Sequence, residues 1–130
     1  MTTSQNIKTI PTADLVAVKA ALAGYLEGLE SGSFDRITDS FWDDATMHGF
    51  TAAGLTEGSY KNLDPYVQQF GAAPTCVTHL DVLAITPSTA VVRIDMEGAA
   101  DGTDYTDFHM LLKQEGVWKV QAKLFHQYGI

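Results

Sequence analysis

The spacing of apolar residues changes once along the chain, and the change divides the chain into two parts. Between residues 12 and about 70, apolar residues recur every three or four positions in short runs, which is typical of amphipathic helices. From Thr75 onward they alternate with polar residues, which is typical of strands with one buried face. Helices first and a sheet afterwards indicate an α+β fold, with the helices packed on one face of a curved, mainly antiparallel sheet.

The first part of the chain predicts three helices separated by two short strands. An apolar stripe runs through residues 12–31 and predicts the first helix. A second helix begins after Ser33, a favourable N-cap, and continues to Phe41. Asp64 followed by Pro65 is a typical helix start, so the third helix begins there. The short strands between the second and third helices are expected near 45–50 and 55–59.

The second part of the chain predicts four longer strands. Turn signals occur at Pro87-Ser88, Asp101-Gly102 and Glu115-Gly116. Strands separated by such short turns pair with their neighbours, so we expect an antiparallel meander. Its strands are expected near 75–86, 89–99, 103–114 and 117–127.

The register of the last hairpin depends on the length of its loop. A three-residue loop at 114–116 places Phe108 opposite Ala122, and all the apolar positions share one face. A two-residue loop places Phe108 opposite Lys123 and mixes the two faces. The three-residue loop is therefore favoured. It predicts an inner face formed by Val92, Ile94, Met96, Phe108, Met110, Leu112, Trp118, Val120, Ala122 and Leu124.

Composition and charge narrow the function classes. The chain has 130 residues with 8 Lys or Arg, 16 Asp or Glu and a formal net charge of −8. This length predicts one compact domain over residues 12–130 after a loose lead-in at 1–11. The acidity argues against nucleic-acid binding and against an anionic membrane surface, because both need a basic footprint. The net charge is best interpreted as favouring solubility.

Cysteine content and the chain start predict the compartment. Cys76 is the one cysteine, so neither an intrachain disulfide nor a zinc site built from several cysteines is expected. Residues 1–10 lack the charged start and apolar run of a signal peptide. No stretch approaches the roughly 20 apolar residues of a membrane span. We therefore expect a cytoplasmic protein.

Several short motifs resemble the nuclear transport factor 2-like superfamily, a group of cystatin-like α+β cone folds. The motifs are Tyr25-Leu26-Glu27-Gly28, Gly32-Ser33-Phe34, Phe41-Trp42-Asp43-Asp44-Ala45, Tyr105-Thr106-Asp107-Phe108, Gly116-Val117-Trp118-Lys119-Val120 and Lys123-Leu124-Phe125-His126. The ending is most similar to the branch labelled "putative lumazine-binding", near the SnoaL-like polyketide cyclases. The resemblance implies a pocket between the helices and the concave sheet face. It leaves function open, because the superfamily holds isomerases, dehydratases, cyclases, hydrolases and binding domains.

The pocket implied by this fold has candidate residues for binding and for catalysis. His48 and His126 are candidate acid–base groups, and Tyr25 is a candidate hydrogen-bond donor. The alternative is that each histidine is structural and that the aromatic residues simply fill the core. The candidate ligand-binding residues are Phe41, Trp42, Tyr66, Phe70, Met96, Phe108, Met110 and Trp118.

The outer sheet face is a candidate dimer interface, because relatives in this superfamily often pair through it. The predicted register places Asp107 opposite Lys123 there, which favours a cross-strand ion pair. Asp107 with His109 could instead form a catalytic dyad or offer two metal ligands, but no third ligand is evident. No metal and no cofactor are therefore predicted. The candidate interface residues are Tyr105, Asp107, Lys123 and Phe125.

Three functions remain open on the sequence. The first is a homodimeric small-molecule-binding domain with an apolar, aromatic-lined pocket. The second is a cofactor-independent isomerase, dehydratase or cyclase that acts on a small apolar substrate. The third is a protein-interaction module with a closed pocket. The sequence favours ligand binding over catalysis.

Overall fold

A computed structural model describes residues 6–129, and its elements follow the predicted order. The three helices are α1 (Thr12–Ser31), α2 (Phe34–Thr38) and α3 (Leu63–Phe70). The six strands are β1 (Phe41–Thr51), β2 (Gly54–Thr56), β3 (Val77–Ile85), β4 (Thr89–Glu97), β5 (Tyr105–Gln114) and β6 (Val117–Gln127). The α+β fold class is confirmed. Residues 1–5 of the predicted lead-in lie outside the described residues, and the domain division stays a prediction.

The strands form one curved sheet in the order β2-β1-β6-β5-β4-β3. The four long strands pair in sequence as the predicted antiparallel meander. β1 lies beside β6 and runs parallel to it, and the short β2 strand pairs with β1 at the edge of the sheet. No helix within residues 6–129 is long and apolar enough to cross a membrane.

The core lies between α1 and the inner face of the sheet. Val18, Leu22 and Tyr25 on α1 are fully buried, as are Val92 and Ile94 on β4. This arrangement follows from the apolar stripe of α1, because the stripe can leave water only by packing on the sheet.

Glycine allows α2 to pack closely against α1. A Cβ atom added to Gly28 would lie 2.6 Å from Cγ1 of Ile37, which is fully buried on α2. Ser33 caps α2 as predicted, since its Oγ accepts a hydrogen bond from the backbone N–H of Arg36 at 3.2 Å. The predicted end of α2 is wrong, however. The helix stops at Thr38, and Phe41 is the first residue of β1.

The last hairpin differs from the prediction at its turn. Gln114 pairs with Val117, so the loop contains only Glu115 and Gly116. Both have positive φ, 50° and 81°, as a two-residue turn of the type I′ family requires. The three-residue loop predicted from the apolar pattern is therefore wrong.

A bulge in β6 reverses the direction of its side chains partway along the strand. Leu111 pairs with Val120 whereas Met110 pairs with Ala122, so Gln121 is an extra residue in β6. Before the bulge, Trp118 and Val120 point inward, and after it Lys123 does. Because of this extra residue, Lys123 points inward even though the turn has only two residues.

The inner face of β5 carries polar residues where apolar ones were predicted. Asp107 and His109 are fully buried, while Phe108 and Met110 are 40% and 53% exposed on the outer face. The prediction assigned these four residues to the opposite faces. It was wrong because alternation alone cannot distinguish a buried polar row from an exposed one.

Candidate functional site

A cavity of about 120 Å³ lies between α1, α3 and the inner face of the sheet. Its inner end is formed by buried residues, among them Tyr25, Met47 and Lys123, and its outer end by more exposed ones such as Thr51 and Asn62. Apolar and aromatic side chains make up most of the wall. The remaining lining residues are Leu26, Leu29, Glu30, Thr56, Leu63, Tyr66, Ala73, Cys76, Thr78, Met96, Ala99, Ala100, Tyr105 and Phe125.

Lys123 provides the cationic group of the cavity wall. Its residue is 5% exposed, and its Nζ lies 3.7 Å from Oδ2 of Asp107. The two groups form an ion pair at this distance, which is longer than an ordinary hydrogen bond. The same Nζ lies 5.3 Å from the ring centres of Tyr25 and Phe125, where aromatic faces stabilise a cation.

Asp107 lies behind the cavity wall and connects three side chains. The Tyr25 hydroxyl donates to its Oδ2 at 3.3 Å, and Nε2 of His109 lies 3.3 Å from the same oxygen. Tyr25 and His109 also stack, with ring centres 5.0 Å apart. Within the described part of the chain, Asp107 Oδ1 and His109 Nδ1 are buried without a hydrogen-bond partner. Such unpartnered atoms are uncommon, because buried polar atoms are otherwise paired.

Burial and mutual charge set the protonation of this cluster. Burial acts to raise the pKa of Asp107, but the charge of Lys123 and hydrogen bonds from His109 and Tyr25 outweigh it and lower that pKa. Burial lowers the pKa of His109 and the pKa of Lys123, against the opposing effect of Asp107. Burial also raises the pKa of Tyr25 well above its ordinary value. At neutral pH the cluster therefore holds a carboxylate, a neutral imidazole and a neutral phenol.

A second polar group lies beside the cavity, and Tyr105 and Tyr66 line the wall there. The Tyr105 hydroxyl donates to Oδ2 of Asp101 at 2.5 Å, and the Gln127 amide donates to the same oxygen at 3.2 Å. Burial raises the pKa of Tyr66 to about 12 and also raises the pKa of Tyr105. Both phenols therefore remain neutral hydrogen-bonding groups at physiological pH.

The two candidate acid–base histidines do not reach the cavity. His48 follows the inward-facing Met47 on β1 and so points to the outer face, where it is half-buried. His126 is exposed on β6 and packs edge-on against Tyr128, with ring centres 4.7 Å apart. Their predicted place in the pocket is wrong, because Lys123 after the bulge takes the inward position.

Most of the predicted ligand-binding residues also lie away from the cavity. Phe108 and Met110 point outward, and Phe70 is 40% exposed at the end of α3. Trp42 is half-buried, and its indole N–H donates to the carbonyl oxygen of Leu112 at 2.9 Å. The structure therefore corrects the predicted pocket positions of these residues.

Two further aromatic residues belong to the core instead. Phe41 stacks on Tyr60 with ring centres 4.5 Å apart. Trp118 is buried and donates its indole N–H to Oδ1 of Asp14 at 3.1 Å. Of the predicted catalytic and ligand-binding residues, the structure places Tyr25, Tyr66 and Met96 on the cavity wall.

The predicted dimer-interface residues point inward. Tyr105, Lys123 and Phe125 line the cavity, and Asp107 is completely buried behind it. This part of the prediction is wrong because Tyr105, Asp107 and, beyond the bulge, Lys123 and Phe125 lie on the inner face of the sheet and not on the outer one. The predicted pairing of Asp107 with Lys123 does occur as an ion pair, but in the interior.

Metal binding is not supported by the residues in and around the cavity. Within residues 6–129, no three His, Cys, Asp or Glu side chains are grouped closely enough to hold a metal ion. The cavity wall and the residues directly behind it offer an amine, carboxylates, an imidazole, a thiol and several phenols.

The fold and its internal cavity define an NTF2-like protein with a cystatin-like fold. An NTF2-like protein of unknown function from Shewanella baltica has a TM-score of 0.86 and 27% identity, covering 95% of this chain and 100% of that one. A ketosteroid isomerase-like protein from Erwinia carotovora atroseptica shares the fold, with a TM-score of 0.72 and 18% identity over 90% of this chain and 98% of that one.

Sequence comparison assigns the family within this fold. The chain belongs to the family described as "Putative lumazine-binding", whose pattern matches residues 13–126. A relative from a Cladobotryum species, named Aldolase FrzH, is 36% identical over 121 residues, which are 93% of this chain and 97% of that protein. The resemblance stated from the motifs is thereby confirmed.

Proposed function

We propose that this protein is an enzyme that transfers a proton at the carbon next to a carbonyl group, and so makes or breaks a carbon–carbon bond by aldol-type chemistry. The observation that carries the proposal is the Lys123–Asp107 pair, 3.7 Å apart, at the buried end of a mainly apolar cavity. Ligand binding, which the sequence favoured, then becomes the first step of catalysis.

Lys123 and Asp107 have complementary roles in such a reaction. Removing a proton next to a carbonyl places negative charge on the carbonyl oxygen, which a cation fixed beside that oxygen stabilises. Lys123 lines the cavity and provides the cationic amine. Asp107 is ionised, has an unpartnered Oδ1 and is the proton acceptor nearest to the amine. In a buried, water-poor site both effects are stronger than in water.

Tyr25 and His109 hold this pair in position. The Tyr25 hydroxyl lies on the cavity wall and donates to Asp107, so it also connects the substrate space to the carboxylate. His109 lies behind Asp107 with its ring against Tyr25. We assign His109 a positioning role, because its ring contacts Asp107 and Tyr25 rather than the Lys123 amine.

The comparison with a named relative supports an aldol reaction within this chemistry. The Cladobotryum protein that shares 36% of the aligned residues is named an aldolase, and the alignment covers 97% of it. The cavity also favours small substrates. At about 120 Å³ it is close in size to an engineered apolar cavity of about 150 Å³ that binds benzene.

The proposal is tested by deuterium exchange at the carbon next to a carbonyl. The protein is incubated in D₂O with cyclohexanone, and NMR follows the deuterium uptake. We expect faster uptake than in buffer, and a loss of about 10²-fold or more in Lys123→Met and Asp107→Asn. His126→Gln, on the outer face, is the matched control and should retain the parent rate.

Circular dichroism and thermal unfolding of every variant establish that it is folded. Aldol addition of cyclohexanone to benzaldehyde, followed by chromatography, then tests bond formation directly. Uptake in the parent that equals the buffer rate would overturn the proposal. Uptake that survives unchanged in both site variants would overturn it as well.

We also propose that the protein is a homodimer that pairs through the outer face of β4, β5 and β6. Phe108, Met110 and Leu124 are 40–54% exposed there, and Phe108 lies opposite Leu124 in the sheet. Two chains of net charge −8 repel each other except where charge is neutralised. On this face Arg93 forms an ion pair with Asp95 at 3.1 Å beside the apolar strip, which supports pairing of two copies.

A further inference from the structure

The amine of Lys123 is placed where a carbonyl carbon could reach it. Among the described residues that line the cavity, Lys123 is the one with an amine. Its Nζ lies 5.3 Å from the ring centres of both Tyr25 and Phe125, and the residue is 5% exposed, so the amine is held at the inner end of the cavity. Most protein lysines keep this group in bulk water, where it is protonated and strongly hydrated.

We propose that Lys123 reacts covalently with its substrate, by forming an imine between its Nζ and the carbonyl carbon of a small ketone or aldehyde. This inference rests on the proposed carbonyl chemistry. It adds a covalent bond to the substrate to the charge stabilisation already assigned to Lys123. Attack by the neutral amine forms the carbon–nitrogen bond. One proton from the nitrogen and the proton that the ammonium form gave up on becoming neutral leave with the carbonyl oxygen as water, and the nitrogen keeps its remaining proton as an iminium ion.

The balance of charge favours this step at this position. Starting from the ammonium form, an ammonium ion and a ketone give an iminium ion and water, so the positive charge stays on the same nitrogen. Asp107, 3.7 Å away and itself buried, remains paired with that charge throughout. The reaction therefore does not leave an unpaired charge in the core, which would cost several kcal/mol.

Burial supplies the neutral amine that the attack requires. Removal from water lowers the pKa of Lys123 below that of an exposed lysine, although Asp107 acts in the opposite direction. A larger fraction of this side chain is therefore unprotonated than for a lysine in water. Lowered lysine pKa values in apolar pockets are how amines become nucleophiles for Schiff bases.

Asp107 is also placed to act on the imine. The carbon that loses its proton is two bonds from the nitrogen, so a substrate joined to Lys123 brings that carbon close to the carboxylate beside the amine. The proton goes to Asp107, and the electron pair moves toward the nitrogen to give a neutral enamine. The enamine carbon attacks an aldehyde acceptor, whose oxygen takes up the proton, and water then releases the amine.

The alternative is a structural ion pair whose lysine never reacts, and reductive trapping distinguishes the two. The full-length protein is incubated with cyclohexanone and sodium borohydride, digested and mapped by mass spectrometry. We expect a peptide containing Lys123 with a mass increase equal to the ketone less one oxygen atom. Lys123→Arg keeps the positive charge but cannot form the adduct, while the exposed Lys61 serves as an internal measure of non-specific labelling.

The inference predicts labelling of Lys123 at least tenfold above that of Lys61, at ketone concentrations where deuterium uptake is half-maximal. It also predicts that Lys123→Arg loses uptake as completely as Lys123→Met. Labelling of Lys123 no greater than that of Lys61 would overturn the imine, and so would an arginine variant that retains uptake. If deuterium uptake is still lost in Lys123→Met in either of those cases, the proposed function remains supported. Specific labelling without any uptake would support the imine and contradict the proposed function instead.

Discussion

Four polar side chains share the fully buried space between α1 and the sheet, and each influences the protonation of the others. Asp107 is the centre of the group, because Tyr25, His109 and Lys123 all approach its Oδ2. The carboxylate remains charged because the amine and two hydrogen-bond donors compensate for the cost of burial. Replacing any one of the four should therefore change the pKa values of the remaining three.

The histidine makes folding stability depend on pH near neutrality. Burial lowers the pKa of His109 in the folded state below its ordinary value of about 6.5. As the pH falls through 6.5, the unfolded chain takes up a proton that the folded chain does not. The free energy of unfolding should therefore fall with decreasing pH, by at most about 1.4 kcal/mol per pH unit.

Urea unfolding at pH 7, 6 and 5 measures this dependence. His109→Gln removes the titrating group but keeps an amide that can donate to Asp107, so its stability should change less between pH 7 and 5. The control is His126→Gln, which replaces an exposed imidazole. The stabilisation from Asp107 is present throughout this pH range, because its pKa is lowered from 3.8, and it is lost only as the pH falls below that value and through the folded-state pKa. Parallel slopes in the parent and His109→Gln would contradict the assignment.

At the scale of the elements, β1 and β6 form the wall that carries Phe125. Gly49 pairs with Phe125 across these parallel strands, and a Cβ on Gly49 would lie 2.6 Å from the aromatic ring and also meet the carbonyl oxygen of Phe125. The absence of a side chain at Gly49 thus lets the ring of Phe125 lie flat against β1. In that position the ring forms part of the cavity wall and lies near the Lys123 amine.

Gly49→Ala should therefore displace Phe125 and separate the strands. We expect a loss of stability of about 1–3 kcal/mol, as for other overpacked sites, together with lower deuterium uptake. Gly24→Ala on α1 is the control, because its nearest neighbour is the Ser40 hydroxyl at 3.1 Å and alanine favours a helix. Urea unfolding of both variants compares them. Equal losses at the two positions would show that Phe125 does not constrain Gly49.

The elements were predictable from the sequence, whereas the faces of β5 and β6 were not. Helix starts and turns depend on a few neighbouring residues. Ser33 therefore predicted the start of α2 correctly, and Glu115-Gly116 predicted the place of the last turn. The face of a strand depends on register, and the apolar Phe108 and Met110 favoured the wrong one. The inner row of β5 is polar at Asp107 and His109, which belong to the proposed site, and functional positions are where local rules of patterning fail.

A signal for the correct faces was present in the sequence but ambiguous. Trp118 and Val120 occupy even positions, and Phe125 occupies an odd one, so the apolar alternation of β6 changes phase along the strand. A bulge explains such a change, but so does an exposed aromatic residue at the end of a strand. Lys123 was consequently missed as a cavity residue, and Asp107 as the carboxylate behind it, although their pairing was expected.

At the scale of the whole molecule, the acidity of the chain and its outer sheet face oppose each other. Repulsion between copies with net charge −8 weakens as salt screens it, while the apolar strip of Phe108, Met110 and Leu124 favours contact. Dimerisation should therefore strengthen as the salt concentration rises. A stable interface of ordinary size covers about 800 Å² on each partner.

Sedimentation equilibrium at micromolar concentration tests this expectation. The parent should sediment with twice the 14.1 kDa monomer mass, and Met110→Asp combined with Leu124→Asp should sediment as a monomer. Leu83→Asp on β3 is the control, because Leu83 is similarly exposed, at 53%, but lies outside the strip. A parent that remains at 14.1 kDa at every salt concentration would contradict the dimer.

The extra residue at Gln121 also affects how the site would be inherited. Without that residue, Lys123 would follow the inward-facing Val120 by two positions, and regular alternation would still point Lys123, Phe125 and Gln127 inward. An ungapped alignment of such a descendant with this chain would score the lysine as lost, although it would still lie opposite His109. The pairing of the lysine with β5, rather than its distance along the chain from the last turn, is therefore what marks the site.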